Sequence, residues 1–150
     1  MQPLASDPQL AARRRWMAVL AMALSDEIEA AWHSLPEVPR YRRLRGPEIG
    51  LVMLRGRVGG TGMPFNLGEA TVTRCVVALA ADGPEGYAYI RGSDLPHAEH
   101  AAVLDALLQA GDPAAATLVE RLAAAADERR RRAAADVAPT RVEFFTMVRE

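Results

Sequence analysis

The chain of 150 residues contains no lysine, and all 18 of its basic residues are arginine. No lysine is therefore available to form a Schiff base or to serve as the cation of a phosphate-binding loop. Cysteine is nearly absent too, because Cys75 stands alone. One thiol forms no intrachain disulfide, no cysteine-based zinc site and no iron–sulfur ligand set. Cluster chemistry held by this chain is thus excluded.

Long hydrophobic runs and excess charge are also missing. No apolar stretch approaches the roughly 20 residues of a membrane-spanning helix, so no membrane partner is expected. The N-terminus lacks the charged, apolar and small-residue pattern of a signal peptide, which predicts a cytoplasmic protein. A net charge of −1 gives no global attraction to nucleic acid. The ordinary share of hydrophobic residues, 50%, predicts one globular domain over residues 1–150.

Helical spacing dominates both ends of the chain. Residues 7–36 predict a helical hairpin, and residues 94–137 predict two further helices, the first beginning at Asp94. A helix-turn-helix DNA reader is the alternative for the N-terminal pair, but the balanced charge and the immediate change to strands argue against it. The run Arg129–Arg132 has acidic neighbours, so it is interpreted as a solvated helix face rather than a nucleic-acid patch.

Between residues 40 and 92 the hydrophobic period changes to two, which is typical of strands. Short connections between these segments require antiparallel pairing. The predicted fold class is α+β, an antiparallel four-stranded sheet packed with the N-terminal helical hairpin and two C-terminal helices. The predicted strands are Tyr41–Arg45, Glu48–Val58, Gly68–Ala81 and Tyr87–Arg91.

Residues 57–74 hold the densest group of glycines and polar side chains. Glycines allow positive φ and can turn backbone N–H groups toward one point, and arginines at both ends suit a phosphate or phosphonate. A plain hairpin loop is the alternative. Nucleotide-binding loops are excluded, because no Gly-Lys-Ser/Thr ending and no following helix are present. The candidate ligand or partner contacts are Arg57, Gly59, Gly60, Thr61, Gly62, Glu69, Thr71 and Arg74.

Strand alternation limits this group. It places Thr71 and Thr73 on one face of their strand and Arg74 on the other, so at most two of the three can point into one site.

His97 and His100 lie three residues apart at the start of a predicted helix, where both can face one ion. Zinc needs further ligands, and His33 is the only other histidine, so no metal site is predicted. His97 is the further candidate contact, and the helix dipole favours its neutral form as an acid–base group. No nucleophile or paired carboxylate stands near it in the sequence. A complete catalytic set is therefore not predicted.

The C-terminal segment, residues 138–150, is unusually apolar for a chain end. It holds Phe144, Phe145 and Met147 after Pro139. Such a terminus docks either on its own core or on another subunit. The long helix before it leads away from the sheet, which favours docking onto a partner through these three side chains.

Several blocks of the chain resemble the G subunit of the bacterial carbon–phosphorus lyase core complex, the PhnG family. They follow one another over nearly the whole chain, and the Gly-Gly-Thr-Gly block and the Phe-Phe-Thr-Met-Val ending are the most specific. His100 is not part of the family pattern. The blocks are Arg15–Leu20, Glu48–Val52 with Arg57–Gly62, Leu67–Arg74 with Asp94–Leu108, and Arg141–Arg149.

The resemblance implies a bacterial system that uses phosphonates as a phosphorus source. In that family the G, H, I and J subunits form a soluble complex with two copies of each. The G, H and I subunits, with the L protein, exchange the adenine of ATP for methylphosphonate, giving ribose 1-methylphosphonate 5-triphosphate. Nucleosidase chemistry belongs to the I subunit, and carbon–phosphorus cleavage belongs to the J subunit with its iron–sulfur cluster.

For this chain the resemblance implies an accessory subunit that does not itself supply the chemistry. It implies no cofactor bound by this subunit, since ATP is a substrate of the complex, and partner subunits of the H, I and J types. Two alternatives stay open at this point. One is a stand-alone anion-binding protein or small enzyme that uses Arg57, the glycine loop and His97. The other is a nucleic-acid adaptor that uses Arg129–Arg132.

Overall fold

A computed structural model describes residues 8–80 and 82–137. The predicted docking segment 138–150 lies outside the described residues, so partner docking by Phe144, Phe145 and Met147 stays a prediction. A single 3-10 turn, Val58–Gly60, connects the first two strands. In chain order the elements are α1 (Pro8–Met22), α2 (Ser25–His33), β1 (Tyr41–Arg57), β2 (Pro64–Leu79), β3 (Glu85–Arg91), α3 (Leu95–Gln109) and α4 (Pro113–Val137).

The described part of the chain has an α+β structure with a sheet of three antiparallel strands in the order β1-β2-β3, so the prediction of four strands was wrong. The two strands predicted on either side of Gly46-Pro47 form one strand, β1. Its register against β2 shifts twice between Arg43 and Glu48. Such bulges admit an extra residue, and a proline without an N–H, while the strand continues. The turn signal at Gly46-Pro47 therefore marks an irregularity within a strand and not its end.

The helix boundaries follow from local capping. The Asp94 side chain accepts a hydrogen bond from the N–H of His97 at 2.9 Å and caps α3. Gly111, with φ of 78°, provides the left-handed residue that follows the helix. One residue later, Asp112 accepts from the N–H of Ala115 at 2.7 Å and begins α4. These contacts set the starts of both C-terminal helices.

Helix α3 is the centre of the molecule, with the sheet on one side and the other helices on the other. Ten of its fifteen residues are buried, many of them alanines that allow close approach. At Gly86 of β3, an added Cβ would lie 1.9 Å from the carbonyl oxygen of Ala102. Only glycine fits where the strand meets the helix this closely. From β2, the side chains that face the helices are Thr73, Cys75, Val77 and Leu79.

Strands β1 and β2 continue well beyond β3. The β2–β3 pairing reaches Val72 and Arg91, whereas β1 and β2 stay paired as far as Arg57 and Pro64. The continuation is called the arm here and comprises residues 51–71. At about 3.3 Å per residue it projects roughly 20 Å past the last pair of β3. Within the described ranges, no helix has the length and apolar character required to cross a bilayer.

Candidate functional site

The glycine cluster forms the tip of the arm. Gly59 and Gly60 have φ of 59° and 79°, in the region that favours glycine. The turn closes on itself, because the N–H of Gly62 donates to the carbonyl of Val58 at 2.8 Å. The Arg57 guanidinium donates to the carbonyl of Gly62 at 3.0 Å. These contacts make the segment an exposed hairpin turn that uses its arginine internally.

The arm carries many large apolar side chains in contact with solvent. Leu51 is 63% exposed and Met63 is 84% exposed. On the face that carries Leu51 and Met53, the paired residues of β2 are Thr71 and Glu69, two of the predicted contact residues. The exposed apolar side chains of the arm are Leu51, Val52, Met53, Leu54, Val58, Met63, Phe65 and Leu67. A surface of this kind is typical of a contact with another protein.

Arg74 lies on the face of the sheet away from the helices. Its Nε donates to Glu48 at 2.5 Å, and Glu48 also pairs with Arg45 at 3.2 Å. The hydrogen bond to Glu48, followed by one to Tyr89, raises the pKa of Arg74 and stabilises its charged form. On the opposite face, the buried Thr73 hydroxyl donates to the carbonyl of Gly92 at 2.7 Å. The structure therefore separates Arg74 from the threonines, in agreement with strand alternation.

His97 lies inside the helical layer, away from the arm. Its side chain is buried, and its Nε2 lies 2.8 Å from the carbonyl oxygen of Leu20, which fixes the proton on Nε2. The cap Asp94 also accepts the Ser25 hydroxyl at 2.5 Å, and that bond, with the His97 N–H, lowers the pKa of Asp94. The contacts of His97 thus join α1 to α3. The structure does not bring it together with the glycine turn.

The chain also matches a known protein family. The model described as "Phosphonate metabolism protein PhnG" matches residues 11–150. This chain belongs to the PhnG family. A curated relative from Rhizobium meliloti (strain 1021), "Alpha-D-ribose 1-methylphosphonate 5-triphosphate synthase subunit PhnG", is 46% identical over 145 residues, 95% of this chain and 92% of the relative. The family resemblance predicted from the sequence is confirmed, and the chain is a protein of phosphonate metabolism.

Among the described residues of this PhnG-family chain, Asp105 is the carboxylate with the most hydrogen bonds, and the sequence analysis missed it. Its side chain is fully buried on α3. It accepts two bonds from Arg13, at 2.8 and 3.2 Å, and one from the Trp16 indole at 2.8 Å. It also accepts from the N–H of Tyr87 at 2.9 Å and from Gln109 at 3.2 Å. With its oxygens occupied in this way, Asp105 joins α1, β3 and α3.

Glu99 is a second buried carboxylate with an internal role. It accepts the Tyr41 hydroxyl at 2.8 Å and two bonds from Arg43, at 2.6 and 2.9 Å. Burial alone would raise the pKa of Glu99, but the bonds from Arg43 and Tyr41 outweigh burial and lower it. Burial and the bond to Glu99 raise the pKa of Tyr41 to about 12. The contacts fix the first residues of β1 to α3.

Burial and packing also shape the environments of Cys75 and His100. Burial raises the pKa of the Cys75 thiol to about 11, so it is no nucleophile at neutral pH. The His100 ring stacks on Trp32 at 4.3 Å, and burial lowers its pKa. Over the described ranges no three His, Cys, Asp or Glu side chains are grouped to hold a metal.

The arginine run of α4 pairs with acids. Arg129 bonds Glu27, Arg130 bonds Asp127, and Arg131 and Arg132 bond Glu128.

Proposed function

We propose that this chain is an accessory subunit of the carbon–phosphorus lyase core complex. With its partner subunits it is required for transfer of the ribose triphosphate moiety of ATP to methylphosphonate, which gives ribose 1-methylphosphonate 5-triphosphate and adenine. The proposal rests on the relative, whose name makes it a subunit of that synthase. The proposed partners are subunits of the H, I and J types in the cytoplasm. We propose that this subunit binds no cofactor, with ATP a substrate of the complex.

The exposed arm is the observation that best supports a subunit role. Residues 51–71 present large apolar side chains on both faces of a two-stranded ribbon. A protein that works alone gains nothing from such a surface and is exposed to aggregation through it. A subunit covers the surface when it assembles. The arm therefore favours a protein that acts only within a complex.

The polar side chains of the body also support an accessory role. Asp105 and Glu99 are saturated by internal donors, and His97 is bonded to a backbone carbonyl. A general acid or base needs a free position toward its substrate. These groups hold elements together instead, so the chemistry is assigned to the partners.

The experiment compares the isolated chain with the assembled complex. Each is incubated with ATP and methylphosphonate, and adenine release is measured by chromatography. The isolated chain is expected to give no adenine above the no-protein control. The partners without this chain are expected to be inactive as well, and activity should return when it is added back.

Turnover by the purified chain alone would contradict the proposal and support the stand-alone alternative. Full activity of the partners without this chain would contradict it equally. As a control for anion binding by the glycine turn, Arg57→Gln is tested in the complex. A loss of activity with intact assembly would make the turn a substrate contact, while unchanged activity would leave it an assembly element.

A further inference from the structure

The outer edge of β1 is paired with no strand of the described residues. Within the described ranges β1 pairs only with β2, on its inner side. In an antiparallel ladder, alternate residues bond to the neighbouring strand, so the other residues of an edge strand point their N–H and C=O groups outward. These outward groups of β1 form a row that can accept another strand.

One segment of this edge is regular. Ile49–Leu54 pairs with β2 without interruption, from Ile49 opposite Thr73 to Leu54 opposite Gly68. Register shifts lie on both sides, before Glu48 and after Leu54. Natural proteins protect edges with charges, prolines and bulges. Here such features flank the segment, while its six residues contain neither charge nor proline.

The same segment is apolar on both faces. Ile49 and Met53 are each 53% exposed on the face toward the helices, and Leu54 is 42% exposed on the other. A strand added at the edge would place its side chains beside those of β1 on both faces. Its own side chains must therefore be apolar on both faces.

The charges around the segment define the partner further. After Glu48, the only charged residues of β1 are two cations, Arg55 and Arg57. Glu48 is already bonded to Arg74, and Arg55 forms no ion pair with any described residue. A partner strand with an acidic residue at the end that meets Arg55 would complement this edge.

A second copy of the chain fits less well. Two-fold pairing centred on Leu51 would bring Arg57 of one copy toward Arg45 of the other and repeat this contact by symmetry. It would also oppose the bulged segment that contains Pro47, which has no N–H to donate. The edge therefore favours pairing with a strand of a different protein over pairing with a second copy.

We propose that Ile49–Leu54 is the docking edge for a partner subunit, which adds an apolar strand with an acidic flank to β1. This inference rests on the proposed function and assigns its assembly surface. Recognition is by strand addition, in which backbone hydrogen bonds give affinity and the flanking charge sets direction.

The test uses the full chain and its partner subunits, with affinity measured by titration. Leu51→Glu should weaken assembly about 30-fold or more, because it places a charge in the centre of the edge. Val38→Glu is the matched control, since Val38 is 55% exposed but lies outside the sheet. It should leave affinity unchanged. Arg55→Glu should weaken assembly about tenfold, with reduced salt dependence, because it reverses the flanking charge.

Hydrogen exchange distinguishes strand addition from contact through the faces alone. In the isolated chain, alternate amides of Ile49–Leu54 should exchange rapidly, because they point away from β2. Assembly should protect these amides. Circular dichroism of each isolated variant checks that the body is still folded.

Several outcomes would overturn the inference. If Leu51→Glu assembles as tightly as Val38→Glu, this edge is not the docking site. The same follows if assembly leaves the exchange of the outward amides unchanged. Self-association lost in Leu51→Glu, with partner binding intact, would assign the edge to a second copy. Outward amides that are protected in the isolated chain and exposed after deletion of residues 138–150 would assign it to the chain's own end. Failure of the unaltered chain to assemble would refute the proposed function itself.

Discussion

Strands β1 and β2 pass through two environments, and the contrast separates the molecule into a body and an arm. In the body, Cys75 and Val77 of β2 are fully buried against α3. Further along the same two strands, Leu51 and Leu67 are 63% and 65% exposed. Both regions are rich in apolar residues, so composition does not distinguish them. The difference is that helices cover only one of them.

The polar groups follow the same division. Body carboxylates such as Asp105 and Glu99 are buried and bonded to several donors. In the arm, Glu69 and Arg55 are exposed and form no ion pair with any described residue. The body therefore satisfies its buried carboxylates internally, while the arm leaves charged and large apolar side chains exposed.

The largest effect is expected from removing the charge of Asp105. Asp105→Asn should lower the free energy of unfolding by about 3 kcal/mol, because it leaves the Arg13 guanidinium without its buried partner. Urea denaturation measures the change. Glu120→Gln is the control, since Glu120 pairs with Arg15 at 3.4 Å at an exposed site and should change little. Equal stability of the two variants would mean that the body does not depend on its buried carboxylate.

A smaller effect is expected from Glu99, and it depends on pH. The folded-state pKa of Glu99 lies below the ordinary value of 4.5, so the unfolded chain binds this proton more readily. Its contribution is fully present above about pH 4.5 and is lost as the pH falls through the folded-state value. Glu99→Gln should cost about 1–2 kcal/mol at pH 7, with little difference from the unaltered chain at the lowest pH. A cost that is independent of pH would contradict this assignment.

Local signals predicted much of the body from sequence. The starts of α3 and α4 follow from an aspartate followed by proline within two residues, and Gly111 marks the helix end between them. The sequence could not predict that Gly46-Pro47 lies within a strand, because the bulges depend on pairing with β2. Turn propensity and tertiary pairing disagreed there, and pairing prevailed.

The buried polar contacts were harder to predict from the sequence than the helix boundaries. Arg13 lies on α1, where a charged residue in an amphipathic pattern is usually expected to be solvated. Its partner Asp105 is 92 residues away, and no local pattern connects them. A single charged residue in the apolar stripe of α3 was the available signal. The arm was missed for a related reason, since apolar alternation predicts a strand but does not tell what covers it.

The tip of the arm provides a local test. Gly60→Ala should lower the free energy of local opening of the turn by about 1 kcal/mol, because φ is 79° there. Gly46→Ala is the control, since that site has open space and no positive φ. If the arm is independent of the body, Gly60→Ala should speed amide exchange at the tip about fivefold without changing global unfolding. An equal decrease in the free energy of global unfolding would show that the arm and the body unfold together.

The smallest effect is expected from a substitution in the arm, for which the same substitution in the body is the comparison. Val52→Thr in the arm should change the free energy of unfolding by less than about 0.5 kcal/mol, because Val52 is 37% exposed and its new hydroxyl can reach water. Val77→Thr in the body should cost about 1–3 kcal/mol, since the hydroxyl would be buried at a fully buried position. Thermal and urea unfolding of the isolated chains measure both. Equal costs would mean that the arm is packed as a core, and the division between a self-sufficient body and an uncovered arm would fail.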